Sequence, residues 1–114
     1  MTEQLLTAIT SISPLDGRYA QKCRSLAEIF SEYGLMRFRI EAEVKWLQML
    51  ASHPAVAELK PLSVTQIAAL NVLFLDFSLE DARVVKEIES KTNHDVKAIE
   101  YHVKQKLEKL GGFE

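Results

Sequence analysis

Apolar residues recur at spacings of three and four along most of this 114-residue chain, which is the period of an α-helix. A first long helix is predicted from near Ser31 to Ala51. It carries two neighbouring apolar stripes, one of Leu35, Phe38, Ala42, Trp46 and Met49, the other of Met36, Ile40, Val44 and Leu47. So broad a face predicts packing against more than one neighbour, with Phe38 and Trp46 in the core. Pro54 ends the helix, because the residue before proline disfavours the helical region.

Two capping signals predict helix starts in the middle of the chain. Ser63 is followed three residues later by Gln66, and Ser78 by Asp81, the spacing at which a serine and a polar side chain satisfy each other's backbone N–H groups. The apolar positions behind these caps are Ile67, Leu70 and Phe74, and then Val85 and Ile88.

The cleanest helical period lies near the end of the sequence. This last helix is predicted to begin near Asn93 and to stop at Gly111 and Gly112, because glycine favours a helix C-terminus. Its apolar stripe is Val96, Ile99, Val103, Leu107 and Leu110, and its solvated face is Lys97, Glu100, Lys104 and Glu108. The predicted fold class is therefore all-α, a small multi-helix domain over residues 1–114.

Charge and cysteine content narrow the classes of function. Fourteen Lys and Arg residues against sixteen Asp and Glu give a net charge of -2 without a basic stripe, which argues against a nucleic-acid partner. Cys23 is the single cysteine, so a disulfide is excluded within the chain and a reducing cytoplasm is the expected location. No apolar run is long enough to cross a bilayer, and we expect no membrane partner.

A first polar cluster lies in a predicted turn over residues 13–19. Its proline fixes one backbone dihedral, and Gly17 tolerates positive φ. The turn delivers Arg18 and Tyr19 together, and the planar guanidinium suits a phosphate or a carboxylate. The alternative is an ordinary surface turn whose arginine pairs with a nearby carboxylate.

A second polar cluster begins at Thr92, where one helical pattern stops and the next starts. Unsatisfied N–H groups at such a start favour an anion, Asn93 can cap and donate, and His94 can donate to a phosphate. Asp95 opposes a bare anion site, but it could orient His94 or accept from a sugar hydroxyl or an amine. The alternative is a capped helix with a surface histidine.

Metal and cofactor signatures are missing from the sequence. His94 and His102 lie eight residues apart, too far for the shared ligation that a spacing of four permits. Neither a Cys/His or carboxylate cluster at metal-site spacing nor a glycine-rich phosphate loop occurs. We therefore expect no metal and no dinucleotide cofactor.

Four phrases together resemble one family. They are Ser-Pro-Leu-Asp-Gly-Arg-Tyr, Phe-Ser-Glu-Tyr-Gly-Leu, Glu-Val-Lys-Trp-Leu and Thr-Asn-His-Asp-Val-Lys-Ala-Ile-Glu-Tyr. In this order they resemble the bacterial adenylosuccinate lyase family of the fumarase and aspartase superfamily. The resemblance implies the first of three helical domains in a cytoplasmic homotetramer. It also implies an enzyme that needs no cofactor and eliminates fumarate from adenylosuccinate, giving AMP, and from the succinylcarboxamide imidazole ribotide of purine biosynthesis.

The resemblance also assigns site residues. It implies that Arg18 and Tyr19 contact the phosphate end of the nucleotide and that Asn93, His94 and Asp95 contact the substrate. The family's general acid is a histidine of the second domain, and its general base is a serine in a Ser-Ser-x-Met-Pro-x-Lys-x-Asn loop. Neither segment occurs here, so we expect no catalytic residue in these 114 residues and no lyase activity from them alone. The expected partners are the nucleotide, the remaining domains of the polypeptide and the other subunits.

Two alternatives stay open. Another lyase of the superfamily, such as argininosuccinate lyase, would share the helical front domain, although the Asp-Gly-Arg-Tyr and Thr-Asn-His-Asp phrases argue against it. A stand-alone helical interaction module would use the broad face from Leu35 to Met49 to bind a partner, and both polar clusters would then be caps alone.

Overall fold

A computed structural model describes residues 7–111, which fall into two units, one ending at Gly34 and the other beginning at Leu35. The α-helices of the described part are α1 (Ala20–Cys23), α2 (Ala27–Phe30), α3 (Glu32–Ser52), α4 (Val64–Leu75), α5 (Leu79–Thr92) and α6 (Asp95–Leu110). Short 3-10 helices span Ala8–Thr10, Pro14–Asp16 and Arg24–Leu26. No strand occurs among residues 7–111, which confirms the all-α prediction.

The described part of the first unit consists of short helical turns, and two glycines in it are required by close backbone approaches. A Cβ on Gly17 would lie 2.4 Å from the carbonyl oxygen of Ala8, and one on Gly34 would lie 2.5 Å from the carbonyl oxygens of Glu28 and Ile29. Gly17 has a φ of -123°, so the expectation that it uses positive φ is wrong. Its missing side chain makes room for neighbouring backbone instead.

In the second unit, α3 ends at Ser52, as Pro54 predicts, and buries one of its two apolar stripes. Met36, Ile40 and Val44 are buried, whereas Phe38 is 41% and Trp46 57% exposed. The prediction that Phe38 and Trp46 lie in the core is therefore wrong.

The cause is the side of α3 on which the other helices of the unit lie. The Gln48 side chain donates to Asn71 of α4 at 2.8 Å, and the Arg39 side chain donates to Asp95 of α6 at 2.9 Å. Gln48 continues the i, i+4 row of Met36, Ile40 and Val44, so this row faces the neighbours and the other stripe faces outward.

Both predicted capping boxes are present. Ser63 Oγ accepts the Gln66 N–H at 3.1 Å while the Gln66 side chain accepts the Ser63 N–H at 2.9 Å. Ser78 and Asp81 do the same at 3.1 and 3.0 Å. The caps position the apolar residues of α4 and α5 that complete the core, namely Leu70, Phe74 and Val85.

Helices α5 and α6 pack against each other and bury a histidine that the sequence pattern did not indicate. His102 is 4% exposed, and its ring meets Phe77 edge-on at 6.0 Å between centroids. Burial lowers the pKa of His102, against the opposing influence of the Asp81 carboxylate. Burial also disfavours the Asp81 carboxylate, but hydrogen bonds from Ser78 and Lys106 outweigh it and hold its pKa below the ordinary value.

The predicted apolar stripe of α6 is buried at Ile99 but exposed at its two ends, Val96 and Leu110, whereas the predicted solvated face and helix end are confirmed. The face with Lys97, Glu100, Lys104 and Glu108 is exposed. The helix stops at Leu110, and Gly111 follows with a positive φ of 72°. Gly112 lies outside the described residues. None of the described helices is both long enough and apolar enough to span a membrane.

Candidate functional site

The first polar cluster is built by a tight reversal of the chain in the first unit. Ser13 Oγ accepts the Leu15 N–H at 3.1 Å and starts the Pro14–Asp16 turn. The Pro14 carbonyl then accepts two N–H groups, from Gly17 at 3.2 Å and from Tyr19 at 2.9 Å. These bonds fold the backbone so that residues 18 and 19 follow the turn together, as predicted; the helix α1 that comes after them was not predicted.

The cluster presents positive charge around an aromatic ring. The Arg18 guanidinium lies 5.3 Å from the centroid of the Tyr19 ring, and the Lys22 ammonium lies 5.8 Å from it. Within residues 7–111, Arg18 forms no ion pair, so the alternative of an arginine neutralised by a nearby carboxylate finds no support there. Two cations beside one exposed ring make a surface suited to an anion.

Lys22 is a member of this cluster that the sequence analysis missed. Its signal was the spacing, since Lys22 follows Tyr19 by three residues across the start of a helix. That spacing places both side chains on one face.

In the second cluster, Asn93 ends α5 and does not cap α6. Its φ is 54°, in the left-handed region, and its N–H bonds the Glu89 carbonyl at 2.7 Å. The last helix does begin near Asn93, at Asp95, but the prediction that Asn93 caps it is wrong. Asparagine tolerates the left-handed conformation better than most residues, and here it redirects the chain between two helices.

His94 is the residue that caps α6. Its Nδ1 accepts the Lys97 N–H at 3.1 Å, and the Asp95 carboxylate accepts the Val96 N–H at 2.9 Å. The expectation of unsatisfied, outward-pointing N–H groups is thus wrong for these two, because the adjacent side chains bind them. With Nδ1 as acceptor, neutral His94 carries its proton on Nε2, and the exposed ring offers that N–H to a ligand.

Thr92 holds the short connection between the helices in place. Its hydroxyl accepts the His94 N–H at 3.3 Å and donates to the His94 carbonyl at 3.2 Å. An open depression of about 380 Å³ between α5 and α6 reaches this point, with Lys91, Thr92 and Tyr101 in its lining.

Asp95 pairs with an arginine that is distant in sequence. Its Oδ2 accepts from Arg39 at 2.9 Å, and the Arg39 side chain is 29% exposed. The hydrogen bond from Arg39 is the main reason that the pKa of Asp95 lies below its usual value, followed by the bond from the Val96 N–H. Asp95 does not bond His94 in this arrangement, contrary to one of the roles considered above. Arg39 lies 56 positions earlier, so no local pattern could identify it.

The predicted site residues thus belong to different units. Arg18 and Tyr19 lie together in the first, and Asn93, His94 and Asp95 lie together in the second. Among residues 7–111, no three His, Cys, Asp or Glu side chains form a group that could hold a metal ion.

Comparison with known proteins identifies the family. The sequence profile of the family described as "Lyase" matches residues 17–112, a stretch that includes both clusters. The chain belongs to the lyase family.

Among the curated relatives of this lyase chain are enzymes named adenylosuccinate lyase. That of Escherichia coli (strain K12) is 48% identical over 105 residues, covering 92% of this chain and 23% of the relative. That of Haemophilus influenzae is 50% identical over 103 residues, covering 90% and 23%. That of Vibrio cholerae is 45% identical over 102 residues, covering 90% and 22%. The lyase chain therefore spans about a quarter of the length of these relatives.

Proposed function

We propose that this chain is the amino-terminal helical domain of an adenylosuccinate lyase and carries part of its substrate-binding site. The observation that carries the proposal is the 48% identity to the Escherichia coli adenylosuccinate lyase over 105 residues. The reaction is the elimination of fumarate from adenylosuccinate, giving AMP, and from the succinylcarboxamide imidazole ribotide. The complete enzyme is a cytoplasmic homotetramer without a cofactor.

The cluster in the first unit binds the phosphate of the nucleotide. Arg18 supplies a planar fork of donors, and Lys22 supplies a second positive charge beside the Tyr19 ring. Tyr19 is 37% exposed, so its ring and hydroxyl are accessible beside both cations. A phosphate dianion is the ligand that best matches two cations with exposed donors.

The cluster in the second unit binds another part of the substrate. His94 donates through Nε2 because Nδ1 is engaged with Lys97, and Asn93 offers an exposed side-chain amide. Asp95 also binds the substrate. Each of its carboxylate oxygens can accept more than one hydrogen bond, so both can accept from the substrate in addition to Arg39 and the Val96 N–H.

These residues position the substrate and do not transfer the proton. An anionic nucleotide with a succinyl group needs fixed donors at both ends, and such positioning lowers the entropic part of the barrier. The general acid and the general base come from further domains, and neighbouring subunits supply the remaining walls of the pocket.

A chimera tests the proposal. The aligned segment of the Escherichia coli enzyme is replaced by this chain, and fumarate release from adenylosuccinate is measured. We expect an active chimera in which Arg18→Ala and His94→Asn each raise KM about tenfold, the size expected for loss of one charged or hydrogen-bonding contact. Lys104→Ala, at an exposed position of α6, is the matched control and leaves KM unchanged. A folded, tetrameric but inactive chimera would contradict the proposal, as would site variants that behave like the control.

The exposed stripe of α3 favours a second candidate, a helical interaction module. Leu35, Phe38, Trp46 and Met49 are each more than two-fifths exposed and lie on one side of the helix. Sequencing the reading frame beyond Glu114 separates the candidates: continuation into the serine-loop pattern supports the lyase, and a stop codon at that point supports the module.

A further inference from the structure

Arg39 lies on α3 next to the most deeply buried positions of that helix. Its neighbour Ile40 is fully buried and Met36, one turn earlier, is 7% exposed, so the backbone that carries Arg39 is held by the core of the second unit. The side chain itself is 29% exposed. The backbone that carries the guanidinium is therefore held in a fixed position.

The partner of Arg39 is the first residue of α6. Asp95 uses one carboxylate oxygen for Arg39, at 2.9 Å, and the other for the Val96 N–H, also at 2.9 Å. One carboxylate therefore connects the start of α6 to α3. His94 precedes Asp95 directly, and its ring is bound to the same helical turn through Lys97.

We propose that Arg39 is a positioning residue, which sets the direction of the His94 Nε2–H by holding Asp95 and so strengthens binding of the nucleotide substrate. This inference rests on the proposed function. Arg39 acts on the substrate through Asp95, to which its guanidinium donates at 2.9 Å.

Loss of the Arg39 side chain should change the position of the His94 Nε2–H more than it changes the stability of the fold. The Asp95 carboxylate stays favourable at a helix N-terminus without a cationic partner, and the His94 and Val96 bonds that cap α6 are local. What disappears is the long-range contact that fixes this turn relative to α3. A change of this kind moves a donor by a fraction of its hydrogen-bond length, and such small displacements weaken binding measurably.

The test compares Arg39→Gln with Arg37→Gln in the chimera. Arg37 lies on the same helix, carries the same charge and sits 4.5 Å from the centroid of the Phe38 ring, away from the Asp95 contact. We expect Arg39→Gln to raise KM about tenfold with little change in kcat, since the residue acts on binding. Arg37→Gln should leave both constants unchanged, and Arg39→Lys should recover most of the affinity because an ammonium can also donate to Asp95.

A purely structural role would give another pattern. A less stable enzyme has fewer active molecules, so kcat falls while KM stays constant. That pattern, equal effects of Arg37→Gln and Arg39→Gln, or no recovery by Arg39→Lys would overturn the proposal.

An NMR titration of the Asp95 carboxyl in this chain provides a readout that does not depend on activity. We expect Arg39→Gln to raise the pKa of Asp95 toward its ordinary value of 3.8, and Arg37→Gln to leave it unchanged. An inactive unsubstituted chimera contradicts the proposed function. An Asp95 pKa that is unchanged by Arg39→Gln contradicts the positioning role, whether or not the chimera is active.

Discussion

Replacing His94 with alanine removes the side chain that caps α6. The Lys97 N–H then loses the imidazole nitrogen that accepts it at 3.1 Å. Loss of an N-cap acceptor costs about 0.5–2 kcal/mol. We expect a loss of about 1–2 kcal/mol, because the capped turn leads directly to Ala98 and Ile99, which are 0% and 1% exposed. Fraying of this turn would disturb both residues of the core.

Urea unfolding of the chain, followed by circular dichroism, measures this cost. With a slope of about 1–2 kcal/mol per molar urea for a domain of this size, a loss of about 1–2 kcal/mol moves the midpoint down by about 0.5–2 M. His94→Asn should recover most of the loss, since asparagine is among the best N-cap residues. It should still lower substrate affinity in the chimera, because the Nε2–H is gone.

Lys104→Ala is the control for the same helix, since its side chain is exposed. A His94→Ala midpoint shift no larger than that of Lys104→Ala would contradict the capping role of His94. His94→Asn as destabilising as His94→Ala would contradict it too, because a cap would then not explain the loss.

The other predictions concern the two units separately. Leu70→Ala should lower the free energy of unfolding by about 2–5 kcal/mol, because Leu70 is fully buried, whereas Leu75→Ala at a 67% exposed position should change it by less than about 0.5 kcal/mol in the same urea assay. Gly17→Ala should destabilise the first unit by about 1–3 kcal/mol, since the added Cβ would lie 2.4 Å from the Ala8 carbonyl oxygen; unchanged amide exchange in residues 13–19 would contradict this. Burial lowers the pKa of His102 from 6.5, so the unfolded state binds the proton more readily than the folded state. The free energy of unfolding should therefore keep its full value above pH 6.5 and decline as the pH falls below it. His102→Gln should remove the part of this decline that lies above pH 3.8, below which the lowered pKa of Asp81 also contributes; an unaltered pH profile in that variant would contradict this assignment.

The parts of the fold that could be predicted from sequence are those decided within one helical turn. The capping boxes at Ser63 and Ser78 join residues three apart, and Pro54 acts on its immediate neighbour, so their effects need no knowledge of the rest of the chain. The pairing of Arg18 with Tyr19 after a tight turn is equally local. The helical period supplied the fold class for the same reason.

Some local features are ambiguous in the sequence, because one residue can fill either of two structural roles. Asparagine favours both a helix N-cap and the left-handed position after a helix, and the sequence offered Asn93 for either role. The structure uses it for the second, and His94 then becomes the cap. Because α6 begins two residues after Asn93, the capping role expected for Asn93 falls to His94.

Tertiary structure alone decided which surfaces meet. Two apolar stripes on α3 are equally good core candidates in sequence, but the other helices of the second unit cover one, so Val44 is buried and Trp46 is exposed. The burial of His102 and the 56-residue contact between Arg39 and Asp95 arise in the same way. Periodicity specifies the direction of each side chain around its own helix, while the partner across the interface depends on how separate helices pack, which no single segment encodes.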